Sequence, residues 1–66
     1  MKNNLKVQQD IKDVTQEELA KLLGVSRQTI NSIEKNRYVL STVLALKLSR
    51  VFEISVNEIF QLDEGD

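Results

Sequence analysis

Arg27, Gln28, Asn31, Ser32 and Lys35 are the residues of this chain best suited to do chemistry on a surface. Placed on a helix at about 100° per residue, Gln28, Asn31, Ser32 and Lys35 share one side, with Arg27 at its edge. Ile30 and Ile33 fall on the opposite side. The polar side carries no carboxylate. Arginine can bind guanine O6 and N7 bidentately, and glutamine or asparagine can do the same at adenine N6 and N7. Lysine and serine reach phosphate oxygens as well as bases. Any surface helix has a polar face, so the meaning of this one depends on what holds it.

The preceding stretch supplies that support. In Val14-Thr15-Gln16-Glu17-Glu18-Leu19 the Thr15 side chain can accept from the Glu18 N–H while the Glu18 carboxylate returns to the Thr15 N–H, and Val14 and Leu19 staple the cap. Leu19, Ala20, Leu22 and Leu23 form the buried face expected of this helix. Gly24 follows the last periodic residue, where a left-handed stop needs no Cβ. Val25-Ser26 then restarts a helix with Ile30 as staple partner, running from Arg27 to about Lys35. Two helices around a short turn containing glycine, at about 15–36, read as a helix-turn-helix, whose second helix lies in the major groove. Gln16 then stands where its amide and the helix N-terminus both meet a phosphate. Lys35, Asn36, Arg37 and Tyr38 follow the reading helix and are placed to clamp the neighbouring backbone. For Tyr38 the alternative is a ring covering the edge of the core.

The same grammar recurs along the chain. Asn3 or Asn4 opens a first helix to about Lys12, with Leu5, Val7 and Ile11 as its apolar residues and Asp13 at its end. Leu40-Ser41 starts a fourth, rich in apolar residues: Val43, Leu44, Leu46, Leu48, Val51 and Phe52. Ile54-Ser55-Val56-Asn57-Glu58-Ile59 repeats both box and staple for a fifth. Phe60-Gln61-Leu62 alternates and can pair briefly, and Asp63 to Asp66 is expected to fray. The expectation is an all-α, five-helix single domain over 1–66 with a short acidic tail.

A chain of 66 residues buries a small core and is marginally stable. With no Cys and no His, it has neither a disulfide framework nor the usual zinc ligands, and it lacks the common catalytic bases and nucleophiles. No enzyme activity, metal, cofactor or small-molecule ligand is therefore expected. No apolar run approaches the roughly 20 residues of a membrane span, and no secretory leader pattern is present, which suits a cytoplasmic protein. The net charge of −1 hides an asymmetry. Between Ser26 and Arg50, Arg27, Lys35, Arg37, Lys47 and Arg50 outweigh Glu34, whereas from Val51 onward Glu53, Glu58, Asp63, Glu64 and Asp66 stand unopposed.

TQEELAKLLGVSRQTINSIEKNRY resembles the helix-turn-helix of the phage-repressor family (Cro and lambda-repressor-like, or XRE), and LALKLSRVFEISVNEIF resembles that family's fourth and fifth helices. The resemblance implies a lambda-repressor-like fold and sequence-specific binding of a double-stranded DNA operator as a dimer. By position, Arg27, Gln28 and Ser32 match the family's base-reading sites, and Gln16, Lys35 and Asn36 its phosphate contacts. Asn31 joins the base readers on the helical wheel alone. Three departures stand out. The family usually has arginine where this chain has Gln9, paired with the glutamate at Glu34. Either Gln9 donates a neutral hydrogen bond, or a nearby lysine or arginine swings in, or the site is wetter. Asn36 replaces the usual glycine after the reading helix, at modest strain. Leu40 replaces a proline, as a staple residue or as part of an exposed patch.

One reading helix covers about 4–5 base pairs, too few to find a site among ~10⁶ competitors, so two copies on a pseudo-palindrome are expected. Ile54, Val56, Ile59, Phe60 and Leu62 are the candidate dimer interface, unless all of them serve the one core. The rival reading is an antitoxin-like or adaptor module whose DNA binding is secondary.

Overall fold

A computed structural model describes residues 1–37 and 40–66, and Tyr38 and Val39 lie outside that description. Among the described residues five helices follow one another: α1 (Leu5–Lys12), α2 (Gln16–Leu23), α3 (Arg27–Glu34), α4 (Thr42–Phe52) and α5 (Val56–Ile59). Two short strands, β1 (Lys2–Asn3) and β2 (Phe60–Gln61), pair antiparallel with Asn3 opposite Phe60. The alternation of Phe60-Gln61-Leu62 thus ends in a ribbon that ties the two ends of the chain together.

Leu5, Leu19, Ile30, Leu48 and Ile59 are the largest fully buried side chains, and each of the five helices supplies one. Around them close Ala20, Leu23, Ile33, Leu44, Phe52 and Phe60. With so small a core, the five helices interlock rather than pack in separable pairs. α2 lies against α3 and α4, while α1 reaches α3.

Among the described residues, three connections are built the same way. Asp13-Val14-Thr15, Gly24-Val25-Ser26 and Glu53-Ile54-Ser55 each combine a left-handed stop, an apolar residue packed on the core, and a hydroxyl residue opening the next helix. The apolar residue closes one helix and staples the next. Val14 N–H donates to Gln9 C=O (2.9 Å), Val25 N–H to Ala20 C=O (3.0 Å) and Ile54 N–H to Ser49 C=O (3.2 Å). The Thr15–Glu18 box is closed in both directions, at 3.1 and 3.2 Å. Ser26 and Ser41 accept from the N–H groups of Thr29 and Leu44. Leu40 is partly buried against the core rather than part of an exposed patch.

The left-handed stops at Asp13 and Glu53 have φ of 56° and 57°, a region that costs an L-residue roughly 1–2 kcal/mol and glycine far less. Glu53→Gly is expected to stabilise the protein by about 0.5–1 kcal/mol, after allowing for the extra freedom of the unfolded chain. The ion pair it removes, with Lys12 at 3.7 Å, is exposed and weak. A thermal melt reports the gain as a rise of several degrees.

Four expectations are corrected. Val7 and Ile11 do not form the inner face of α1 and are 53% and 68% exposed. The inner face is Leu5 and Gln9, one turn apart, and Val7 lies about 200° round from Leu5. Leu22, expected on the buried face of α2, is also exposed, because the core is too small to cover a second stripe; Val43 and Leu46 on the strongly apolar α4 are exposed for the same reason. Ile59 and Phe60, 1% and 7% exposed, are spent in the core and leave no surface for a partner subunit. Finally, the tail is folded rather than frayed: the Met1 ammonium lies 3.0 Å from Asp63 and 2.9 Å from Asp66. Hydrogen bonds to the Asp66 and Asp63 carboxylates hold that amine above its ordinary pKa.

Candidate nucleic-acid interface

The turn after α2 aims α3 outward. Gly24 takes φ of 73°, Val25 drops into the core, and Ser26 caps α3 through Thr29, accepting its N–H at 3.2 Å. Ile30 and Ile33 anchor the helix from below. Its outer surface is a shallow concavity of about 280 Å³ lined by Gln28, Asn31, Ser32, Lys35 and Arg37. Gln28, Lys35 and Arg37 are exposed, and Asn31 and Ser32 are half-buried at its floor. Five of the sequence-derived candidates are therefore brought together, four from α3 and its cap and one from the turn beyond.

Arg27 and Gln16 sit at the other end, at the N-termini of α3 and α2. Arg27 is exposed and donates from Nε to Gln16 Oε1 at 3.4 Å, while Gln16 Nε2 donates to Glu34 at 3.0 Å. Gln16 is thus not a free amide awaiting phosphate. It bridges a base-reading candidate to the far end of the reading helix, and keeps one amide N–H for an outside acceptor. Tyr38, placed by sequence beside the phosphate, lies outside the described residues.

Glu34 receives a second donor, Gln9 Nε2 at 2.7 Å, and Gln9 also donates to Leu5 C=O at 3.3 Å. The neutral hydrogen bond is therefore the arrangement adopted, reinforced by Gln16. Among the described residues no lysine or arginine pairs with Glu34. Beside it opens a recess of about 360 Å³ lined by Lys6, Gln9, Asp10, Asp13, Gln16 and Glu34, among others. That space and its carboxylates favour a cation. Gln9→Arg is expected to raise stability at neutral pH by about 1 kcal/mol, since hydrogen bonds to charged groups gain from a charged donor. An unchanged or lower melting temperature would count against this account of Glu34.

The far end of α3 is closed by a full set of backbone bonds. Arg37 N–H donates to Ser32 C=O at 2.8 Å and Asn36 N–H to Ile33 C=O at 3.0 Å, with Asn36 at φ of 58°. This is the hydrogen-bond pattern that ends helices on a left-handed residue, and Asn36 fills it as expected. Sequence reasoning missed Asn3, whose side chain reaches the same place (Asn3 Nδ2 to Ile33 C=O, 3.0 Å). Thirty residues separate the two, so no local pattern signals it.

A capped helix, a left-handed glycine turn and a second helix with a polar, carboxylate-free outer face define a helix-turn-helix DNA-binding protein. A helix-turn-helix family model (HTH_3) matches residues 11–59, and the chain belongs to that family. It is 46% identical over 66 residues, and 100% of both chains, to an uncharacterized HTH-type transcriptional regulator of Methanocaldococcus jannaschii. It is 41% identical over 64 residues, 97% of each chain, to the uncharacterized HTH-type regulator YgzD of Bacillus subtilis. Among solved structures it is similar to the restriction-modification controller protein C.AhdI from Aeromonas hydrophila, with a TM-score of 0.75 and 32% identity over 85% of each chain. The protein is a transcriptional regulator of the XRE-type helix-turn-helix class, with a lambda-repressor-like fold. That is a DNA-binding class rather than an enzyme class. No helix among the described residues is long and apolar enough to cross a membrane.

Proposed function

We propose that the protein is a cytoplasmic repressor that binds a pseudo-palindromic operator as a homodimer, one α3 entering the major groove of each half-site. The observation that carries this reading is the outer face of α3, where Gln28, Asn31, Ser32, Lys35 and Arg37 converge on one concavity free of carboxylates. Arg27, Gln28, Asn31 and Ser32 read base edges in this account. Gln16, Lys35, Asn36 and Arg37 hold phosphates, a role that sequence alone also gives Tyr38. Binding in the major groove of a promoter represses by excluding other proteins from the same DNA.

Dimerisation draws on the fifth helix and tail without Ile59 and Phe60. Leu62 is 78% exposed, and Ile54 and Val56, partly buried against the core, keep some surface open at the same end of the chain.

Exposed Val43 and Leu46 favour a second reading, in which a protein partner is primary, as in an antitoxin or adaptor. Salt separates the two. Charged phosphate contacts from Lys35 and Arg37 in each of two subunits should make affinity for duplex DNA fall steeply between 50 and 200 mM salt, about 10²-fold for four phosphates. An apolar protein partner should scarcely respond. Failure to bind any duplex at low salt would remove the repressor reading, and sedimentation with and without DNA tests the dimer.

A further inference from the structure

The terminal ribbon and the end of the reading helix are joined by two asparagines. Asn3, in β1, donates from Nδ2 to Ile33 C=O (3.0 Å), to Glu34 C=O (3.4 Å) and to Asn36 Oδ1 (2.7 Å). Its own Oδ1 accepts from the Leu5 N–H at 3.2 Å. One side chain therefore turns the chain into α1 and also occupies the last carbonyls of α3. Asn36 sits in a left-handed conformation where glycine would be free of strain, so its side chain is retained at a cost to the backbone.

The hydrogen bond explains what that side chain is held to do. An amide has its oxygen and nitrogen on one carbon, so anchoring Oδ1 fixes the direction of Nδ2. Asn36 is exposed, stands next to Lys35 and Arg37, and among the described residues its Nδ2 donates to nothing. Two oriented N–H bonds are thus presented where a phosphate is expected to pass. Asn3 itself lies outside the span matched by the family model, which begins at residue 11, so this arrangement draws on a part of the chain beyond the shared helix-turn-helix.

We propose that Asn3 is a positioning residue for DNA binding: by holding Asn36 Oδ1 it aims the Asn36 NH₂ at a backbone phosphate beside the half-site. The inference rests on the DNA-reading function above. It makes the ribbon part of the DNA-binding apparatus and not merely a closure of the fold. The contact carries no sequence information, because a phosphate is the same in every site. It also carries no charge, so it adds affinity without steepening the salt dependence.

The test is a double-mutant cycle with the full chain. Asn3→Ser keeps an acceptor for the Leu5 N–H but cannot span to Asn36. Asn36→Gly keeps the left-handed turn and removes the amide. Affinities are measured well below each melting temperature on two duplexes, one carrying a site selected from random DNA and one of scrambled sequence. Each variant is expected to bind both duplexes about five- to tenfold more weakly with an unchanged salt slope. The double variant is expected to be no weaker than the weaker single. Wild-type affinity in folded Asn3→Ser, or losses that multiply in the double variant, would overturn the proposal, since a purely structural cap lowers the melting temperature and leaves the affinity of the folded protein alone. If the wild-type chain bound neither duplex at low salt, the DNA-reading function would itself have failed, a result visible before any variant is made.

Discussion

Ile30→Ala is expected to leave the protein largely or wholly unfolded at 37 °C. Ile30 is fully buried and sits under the reading face, where α3 rests on the core. Truncating a buried isoleucine costs about 2–5 kcal/mol, the sum of lost transfer energy and the cavity left behind. A domain of this length is stabilised by only about 3–10 kcal/mol in total, so one side chain carries a large share. The cost cannot be absorbed locally, because each helix contributes one fully buried residue to the same core. Circular dichroism melts should show a lost or strongly lowered transition. Leu46→Ala, at a position 59% exposed on α4, is the matched control and should change stability by about 0.5 kcal/mol or less. Equal effects of the two substitutions would show that the core is misassigned.

The second large effect concerns DNA, and it takes two forms that separate the roles on α3. Gln28→Ala removes an exposed amide from the concavity on the outer face of α3. It should weaken binding to the preferred site by about 1–3 kcal/mol and relax preference at one position of each half-site, leaving non-specific binding nearly unchanged. Lys35→Ala removes a charge at the helix end. It should weaken all duplexes alike and reduce the salt slope by about 0.9 for each subunit bound. Neither substitution disturbs the core, since both side chains are exposed, so melting temperatures should stay close to wild type. Affinity profiles across a set of single-base variants, repeated at several salt concentrations, distinguish the two patterns.

What could be seen from sequence divides by the distance over which each contact acts. The Thr15–Glu18 box, the Ser26 and Ser41 caps and the Gly24 turn were legible because donor and acceptor lie within three residues, or because one backbone angle demands one residue type. The polar face of α3 was legible from period alone, since Ile30 and Ile33 fix the opposite side. The face of α1 was not. Gln9 is turned inward by Glu34, twenty-five residues on, and carries Leu5 with it, leaving Val7 and Ile11 in solvent. Hydrophobicity predicts the reverse, because it cannot see a polar partner arriving from another helix.

The same reason hides Asn3. Its residue type fits a helix cap, which it partly is, and nothing nearby announces a second set of partners at the end of α3. Glu53 is obscure in another way. Glutamate has no preference for a left-handed conformation, and the stop there is imposed by Ile54 and Ser55, which must reach the core and open α5. The exposure of Leu22, Val43 and Leu46 follows from size: 66 residues cannot enclose every apolar side chain that a periodic pattern offers.

The reading helix thus stands on two supports at its far end, the amides of Gln9 and Gln16 on Glu34 and the clasp of Asn3 on Asn36. Among the contacts described neither support involves a cation, and through Gln9 and Asn3 both connect α3 to elements outside the two-helix unit. Affinity for DNA is therefore expected to depend on the first residues of the chain as well as on α3, while specificity is expected to stay with α3.

The measurement that bears most directly on all of this is selection of bound sites from a pool of random duplex DNA by the wild-type chain. The account predicts a motif with two-fold symmetry, half-sites one helical turn apart at about 34 Å, and loss of one conserved position per half-site when Gln28→Ala is used for the same selection. Recovery of no enriched sequence at low salt, or of a motif indifferent to Gln28, would contradict it.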